Sequence, residues 1–203
     1  MTSVRRLARR ERERFADLLT GLTAEQWAAP SLCPGWSVRD VAAHTIGYLD
    51  QSRIALLVNM IRSRGDVDRL NARLLPAYAA LTPTRLVELM HRNARSSGAG
   101  ALYGGRVALI ECVVHQQDIR RPLGLSEPVS EDALRASLNY ARISPVIGGA
   151  RRIRGKRLVA TDMEWSAGRG PELRGPGEAL LLAMTGRLDA VRGELAGEGM
   201  PRR

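Results

Sequence analysis

Gly104-Gly-Arg-Val-Ala-Leu-Ile-Glu-Cys-Val-Val-His-Gln-Gln-Asp-Ile-Arg-Arg-Pro-Leu-Gly124 reads as one buried helix. Glycines precede it, its middle is apolar all round, and Pro122 with Gly124 stops it. Val107, Leu109, Ile110, Val113 and Val114 leave little polar surface, so the helix belongs inside a helical protein. Glu111 and His115 interrupt the apolar run four residues apart, and so share a face. A carboxylate among valines is costly unless it is paired, protonated or bound to a metal. Glu111 needs a partner.

Outward from that helix, the chain is mostly helical in pattern. Residues 4–20 form an amphipathic helix whose alternating Arg and Glu read as a solvated face. Thr23-Ala-Glu-Gln26 and Ser37-Val-Arg-Asp40 are capping boxes. The first opens a short helix through Trp27, and the second opens a long one from Val38 to about Arg64. Residues 69–80 are a weaker helix containing Pro76; Thr82-Pro83 starts another, which ends in Ser96-Ser-Gly-Ala-Gly100. Four substantial helices before residue 125 indicate a four-helix bundle. Beyond it, a helix over 131–143 precedes a hairpin of 157–161 with 163–166, and a final apolar helix covers 176–186. The expected architecture is mainly α, with a bundle over 1–125 and a small C-terminal α+β module over 126–203.

The 203 residues are 44% hydrophobic and 4% aromatic, a globular and helix-favouring composition. No run of about 18 uncharged apolar residues is present, so no membrane span is expected. The N-terminus lacks a signal-peptide apolar region, which makes the cytoplasm the expected compartment. Net charge is +10, carried by arginines and one lysine, Lys156. The basic run Arg151-Arg-Ile-Arg-Gly-Lys-Arg157 has no aromatic for base stacking and reads as a solvated strand edge rather than a nucleic-acid surface. Cys33 and Cys112 make no disulfide framework. Cys33 reads as packed in the turn that Trp36 anchors, and Cys112 as buried.

Of three histidines, His91 reads as a surface residue, while His44 and His115 lie on helices whose inner faces should meet. His44, Glu111 and His115 together have the composition of a catalytic zinc site or a facial triad, with a position left open. A buried Glu–His or Glu–Arg pair accounts for the same spacing. Asp118 and Asp40, each within a turn of a histidine, are placed to orient those rings.

Leu32-Cys-Pro-Gly-Trp-Ser-Val-Arg-Asp-Val-Ala-Ala-His-Thr-Ile-Gly47 resembles the second-helix signature of the mycothiol-dependent maleylpyruvate isomerase family, within the DinB-like bundle superfamily. Glu111 to Gly124 resembles the same family's later motif, and Leu158 to Ser166 with Leu173 to Arg187 its smaller C-terminal module. The resemblance implies a divalent metal, usually zinc, held by His44, Glu111 and His115. It also implies mycothiol as thiol cosubstrate. The metal-activated thiolate adds to the conjugated double bond of maleylpyruvate, and rotation and elimination give the trans isomer; in transferase relatives the thiolate attacks an electrophile and stays attached. Arg120 and Arg121 are candidates for holding the substrate's carboxylate, and equally surface charges complementing the helix C-terminus. The alternatives are a mycothiol S-transferase and a metal-binding bundle without catalysis that binds a small molecule or a partner. A homodimer is an admissible assembly.

Overall fold

The computed structural model describes residues 3–92, 94 and 98–201. Its chain divides into two compact units, Met1–Glu127 and Pro128–Arg203. The first contains α1 (Val4–Thr20), α2 (Ala24–Ala28), α3 (Val38–Leu49), α4 (Arg53–Arg62), α5 (Val67–Ala79), α6 (Pro83–Arg92) and α7 (Leu102–Arg120). Helices α1, α3, α6 and α7 form the bundle: α1 packs on α6 and α7, and α3 on α6 and α7, with α5 added against α3. Phe15 and Leu19, Val41 and Ile46, Leu86 and Met90, and Leu109 and Val113 supply the buried apolar faces.

The local signals work as their chemistry requires. In α3 the Ser37 hydroxyl accepts from the Asp40 N–H at 3.2 Å, and Asp40 accepts from the Ser37 N–H at 2.9 Å. Before it, Ser31 N–H donates to Trp36 O at 2.9 Å, closing a turn in which Gly35 adopts φ 77°. Leu32 N–H ties this turn to Asp118 O of α7 at 3.0 Å. Helix α7 opens through a kink in which Gly105 has φ 91°, with Arg5 Cα 3.4 Å from where a Cβ would stand. Glycine there lets α7 lie close on α1.

Three expectations for this unit need correction. The long helix from Val38 to Arg64 is two helices, broken at Asp50-Gln-Ser52. Asp50 is drawn to Arg12 of α1 at 2.8 Å, Gln51 O accepts from Ala99 N–H at 2.9 Å, and Ser52 caps α4 by accepting from Ala55 N–H at 3.0 Å. Redirected by that break, α4 buries none of its residues. Nor is the charged face of α1 wholly solvated. Arg12 is only 1% exposed, bonded to Asp50 and Met90 O, and buried Glu11 accepts from Gln116 of α7 at 3.1 Å. Paired this way, charged groups tolerate the interior. The weaker helix is longer than expected, starting at Val67, and keeps Pro76 within it. The expected break at Ser96-Ser97 lies outside the described residues.

The second unit holds α8 (Glu131–Ile143), α9 (Gly149–Arg152), β1 (Arg157–Ala160), β2 (Ser166–Gly168), β3 (Glu172–Gly175), α10 (Gly177–Met184) and α11 (Leu188–Val191). The sheet order is β2-β1-β3, with β1 antiparallel to β2 and parallel to β3. The expected hairpin exists, but its second strand starts at Ser166, not Met163, and β3 was not foreseen. α10 is apolar and packs on α8. The basic run is split between α9, a turn and β1; its arginines are exposed, with Arg152 also donating to Met184 O at 3.3 Å. Among the described residues, no helix is long and apolar enough to cross a membrane.

Candidate metal centre

The packing of α3 against α7 brings His44 to Glu111 and His115. His44 Nε2 lies 3.6 Å and His115 Nε2 3.2 Å from the same oxygen, Glu111 Oε2. The His44 and His115 rings meet edge to face, centroids 5.0 Å apart. Trp36, 5.0 Å away, and Tyr48, 6.0 Å away and stacked, hold the His44 ring from other sides. Both histidines are buried, whereas the Glu111 side chain keeps 22% of its exposure, so the cluster is reached from the carboxylate side.

The second nitrogen of His115 is also committed. Nδ1 lies 2.7 Å from Asp118 Oδ2, and Cys33 Sγ donates to that oxygen at 3.2 Å. A carboxylate only accepts, so Nδ1 carries a proton, and Nε2, on the Glu111 side, is the nitrogen left to offer its lone pair to a metal. Burial acts to raise the Glu111 carboxyl, but the hydrogen bonds and charge of His115 and His44 outweigh it and hold it well below the usual carboxylate range. For His115, burial acts to lower the imidazole, yet Asp118, Cys33 and Glu111 together raise it well above its ordinary value.

These side chains suit a divalent metal. The three ligand atoms lie within 4.8 Å of one another. Bonds of about 2.0–2.1 Å in a tetrahedron place ligand atoms about 3.4 Å apart. The observed 3.2 and 3.6 Å bracket that separation, and 3.6 Å is too long for a good hydrogen bond. Two neutral imidazoles and a carboxylate make a borderline-hard set, apt for zinc.

Other sequence expectations fare differently. Asp40 is taken up by the α3 capping box rather than by His44. Arg120 is buried at 7% exposure and bonds Glu127, in a cleft with Arg14, Asp17, Leu18 and Leu125 that none of His44, Glu111 and His115 lines. Its position contained the signal: five residues past His115 is about 140° around the helix, against about 60° for Asp118. Arg121 ends α7, its N–H donating to Gln117 O at 3.2 Å, and is half-buried. His91 is exposed on α6. Cys112 is fully buried, and burial pushes its thiol up to about 12, which leaves it inert. The sequence reading missed the approach of Cys33 to Asp118, which depends on a loop crossing to a helix 85 residues away.

Residues 8–59 match the family model of the mycothiol maleylpyruvate isomerase N-terminal domain. Among solved structures, a mycothiol-dependent maleylpyruvate isomerase is similar at 16% identity and TM-score 0.64, with 100% of this chain and 98% of that one covered. A histidine-to-alanine mutant of such an enzyme is similar at 15% identity and TM-score 0.62, over the same shares. At those identities the likeness is one of fold, and it extends over both units. No curated protein matches the chain in sequence.

Proposed function

We propose, from the premise that residues 8–59 carry a mycothiol maleylpyruvate isomerase N-terminal domain, that this chain is a metal-dependent, thiol-using isomerase of small unsaturated molecules. His44, Glu111 and His115 would hold the ion. The observation that carries this reading is the convergence of both imidazole Nε2 atoms on one Glu111 oxygen, at 3.6 and 3.2 Å. Bound there, a divalent ion such as Zn2+ supplies a Lewis-acidic position at which a coordinated thiol loses its proton.

The chain's own residues prepare that position. Asp118 holds the Nδ1 proton of His115, so Nε2 presents its lone pair. Trp36 and Tyr48 fix the plane of His44. Glu111 stays ionised beside the two rings and supplies the negative charge that offsets a dication. The buried histidines keep water from the back of the cluster and leave the Glu111 side for mycothiol and substrate. The mycothiol thiolate forms a carbon–sulfur bond at the electrophilic double bond, rotation follows about the resulting single bond, and elimination returns the thiol.

The test is incubation with zinc, mycothiol and maleylpyruvate, following both the substrate isomer and the free thiol. Isomerisation without net thiol loss supports the proposal. Stoichiometric thiol consumption would make the protein an S-transferase, and neither change would make it a binding protein.

A further inference from the structure

His115 has two faces, and only one is used above. Its Nδ1 looks away from Glu111 into a second donor group. Cys33 Sγ, His115 Nδ1 and an Asp118 carboxylate oxygen lie within 4.8 Å of one another. Sγ and Nδ1 are 3.2 and 2.7 Å from the same Asp118 Oδ2. Asp118 is fully buried and His115 nearly so, whereas Cys33 is half-buried. The triad is closed on the α7 side and open at its sulfur.

We propose that Cys33, His115 and Asp118 form a second metal site, selective for thiophilic divalent ions such as Cd2+, whose occupation excludes an ion from His44 and Glu111. A thiolate, an imidazole and a carboxylate with one position open is a zinc-type ligand set. The sulfur biases it toward softer ions than the all-nitrogen-and-oxygen set on the other face. The site itself stands on the triad alone. The exclusion rests on the functional reading above, in which His115 ligates through Nε2.

The protons account for the exclusion. Entry of the ion forms a metal–sulfur bond and releases the Cys33 proton to solvent. His115 releases its Nδ1 proton to solvent as Nδ1 takes up the metal and keeps the proton at Nε2. Nε2–H then faces Glu111 Oε2 at 3.2 Å, where a carboxylate is ready to accept it. A neutral imidazole has one lone pair, so a ring that ligates through Nδ1 cannot ligate through Nε2. Ligand distances of about 2.0–2.3 Å would widen the present separations to roughly 3.4–3.6 Å. The 31–36 turn, outside regular helix, carries Cys33 outward, and side-chain rotation on α7 opens the 2.7 Å contact between His115 and Asp118.

The experiment is titration of metal-free protein with Cd2+, following the ultraviolet sulfur-to-cadmium charge-transfer band. The expected band saturates near one ion per chain, disappears in Cys33→Ser and persists in His44→Ala. No band in the unmodified protein, an equal band in Cys33→Ser, or a band lost in His44→Ala would overturn the site. Alkylation by iodoacetamide, read at the Cys33 peptide of the unmodified protein, gives a second measurement that needs no variant. Cd2+ should protect that thiol, and unchanged alkylation counts against the site. For the exclusion, zinc-loaded protein exposed to Cd2+ and desalted should carry about one ion in total per chain; about two would contradict it. A Cys33-dependent band in protein that binds no zinc through His44 would leave this site standing while removing the functional reading.

Discussion

The Nδ1 atom of His115 lies 2.7 Å from Oδ2 of the fully buried Asp118, while Nε2 of the same ring lies 3.2 Å from Glu111. One carboxylate holds a proton at Nδ1, and the other faces the nitrogen that is left to bind a metal. Replacing Asp118 with Asn exchanges a charged group that only accepts for an amide that can also donate, so the tautomer is no longer imposed. Zinc affinity, measured by competition with a chromophoric chelator, should fall about 10- to 100-fold. Unchanged affinity would mean that Asp118 serves packing alone. Asp118→Ala should in addition cost about 1–3 kcal/mol in urea unfolding, since it leaves buried donors unsatisfied.

Without metal, the cluster should make stability depend on pH in a particular direction. Glu111 has a folded pKa below its unfolded one, so its contribution is present above the ordinary carboxylate value of 4.5 and is lost as pH falls through the depressed value. His115 has a folded pKa raised above 6.5, so its contribution is full below 6.5 and is lost as pH rises through the raised value. Both coexist between 4.5 and 6.5. In chelator, Tm should therefore peak in that window and decline on the alkaline side, a decline that His115→Ala abolishes. A Tm that climbs steadily from about pH 6 to about pH 9, where an unperturbed His would already be neutral, would contradict this.

Arg12 and Asp50 join α1 to the end of α3 with the guanidinium almost wholly buried. Asp50→Ala strands that charge, and the cost in urea unfolding should be about 3 kcal/mol, at the low end for a buried pair because Asp50 retains some exposure. A loss under about 0.5 kcal/mol would mean that water reaches Arg12.

Arg120 gives the converse test. Its guanidinium is held by Glu127 in a cleft apart from the cluster. Arg120→Gln should lower stability by roughly 1 kcal/mol, since the partner is largely solvated, and leave zinc content unchanged. Loss of metal in this variant would place Arg120 at the site after all.

What could be read from the sequence was local in origin. Glu111 and His115 stand out because a helix puts residues four apart on one face, and the Ser37 capping box marks the start of the helix that carries His44. Asp118 was visible for the same reason. The break at Asp50 to Ser52 was not, because it depends on Arg12 and Ala99, which reach it only in the folded chain. β3 escaped because its Glu-Leu-Arg-Gly has one large apolar residue and pairs in parallel with a strand about 15 residues earlier. The Cys33–Asp118 contact also required the fold. The angle of Arg120 around α7, which turns it to Glu127 and away from His44, Glu111 and His115, was also legible in the spacing.

The most direct measurement is the metal content of protein purified from zinc-supplemented cells, beside His44→Ala and Glu111→Gln, with folding checked by circular dichroism. The expected result is about one divalent ion per chain in the unmodified protein and less than about a tenth of that in each folded variant. Equal loading of all three, or no loading of the unmodified protein, would contradict a metal centre built from His44, Glu111 and His115.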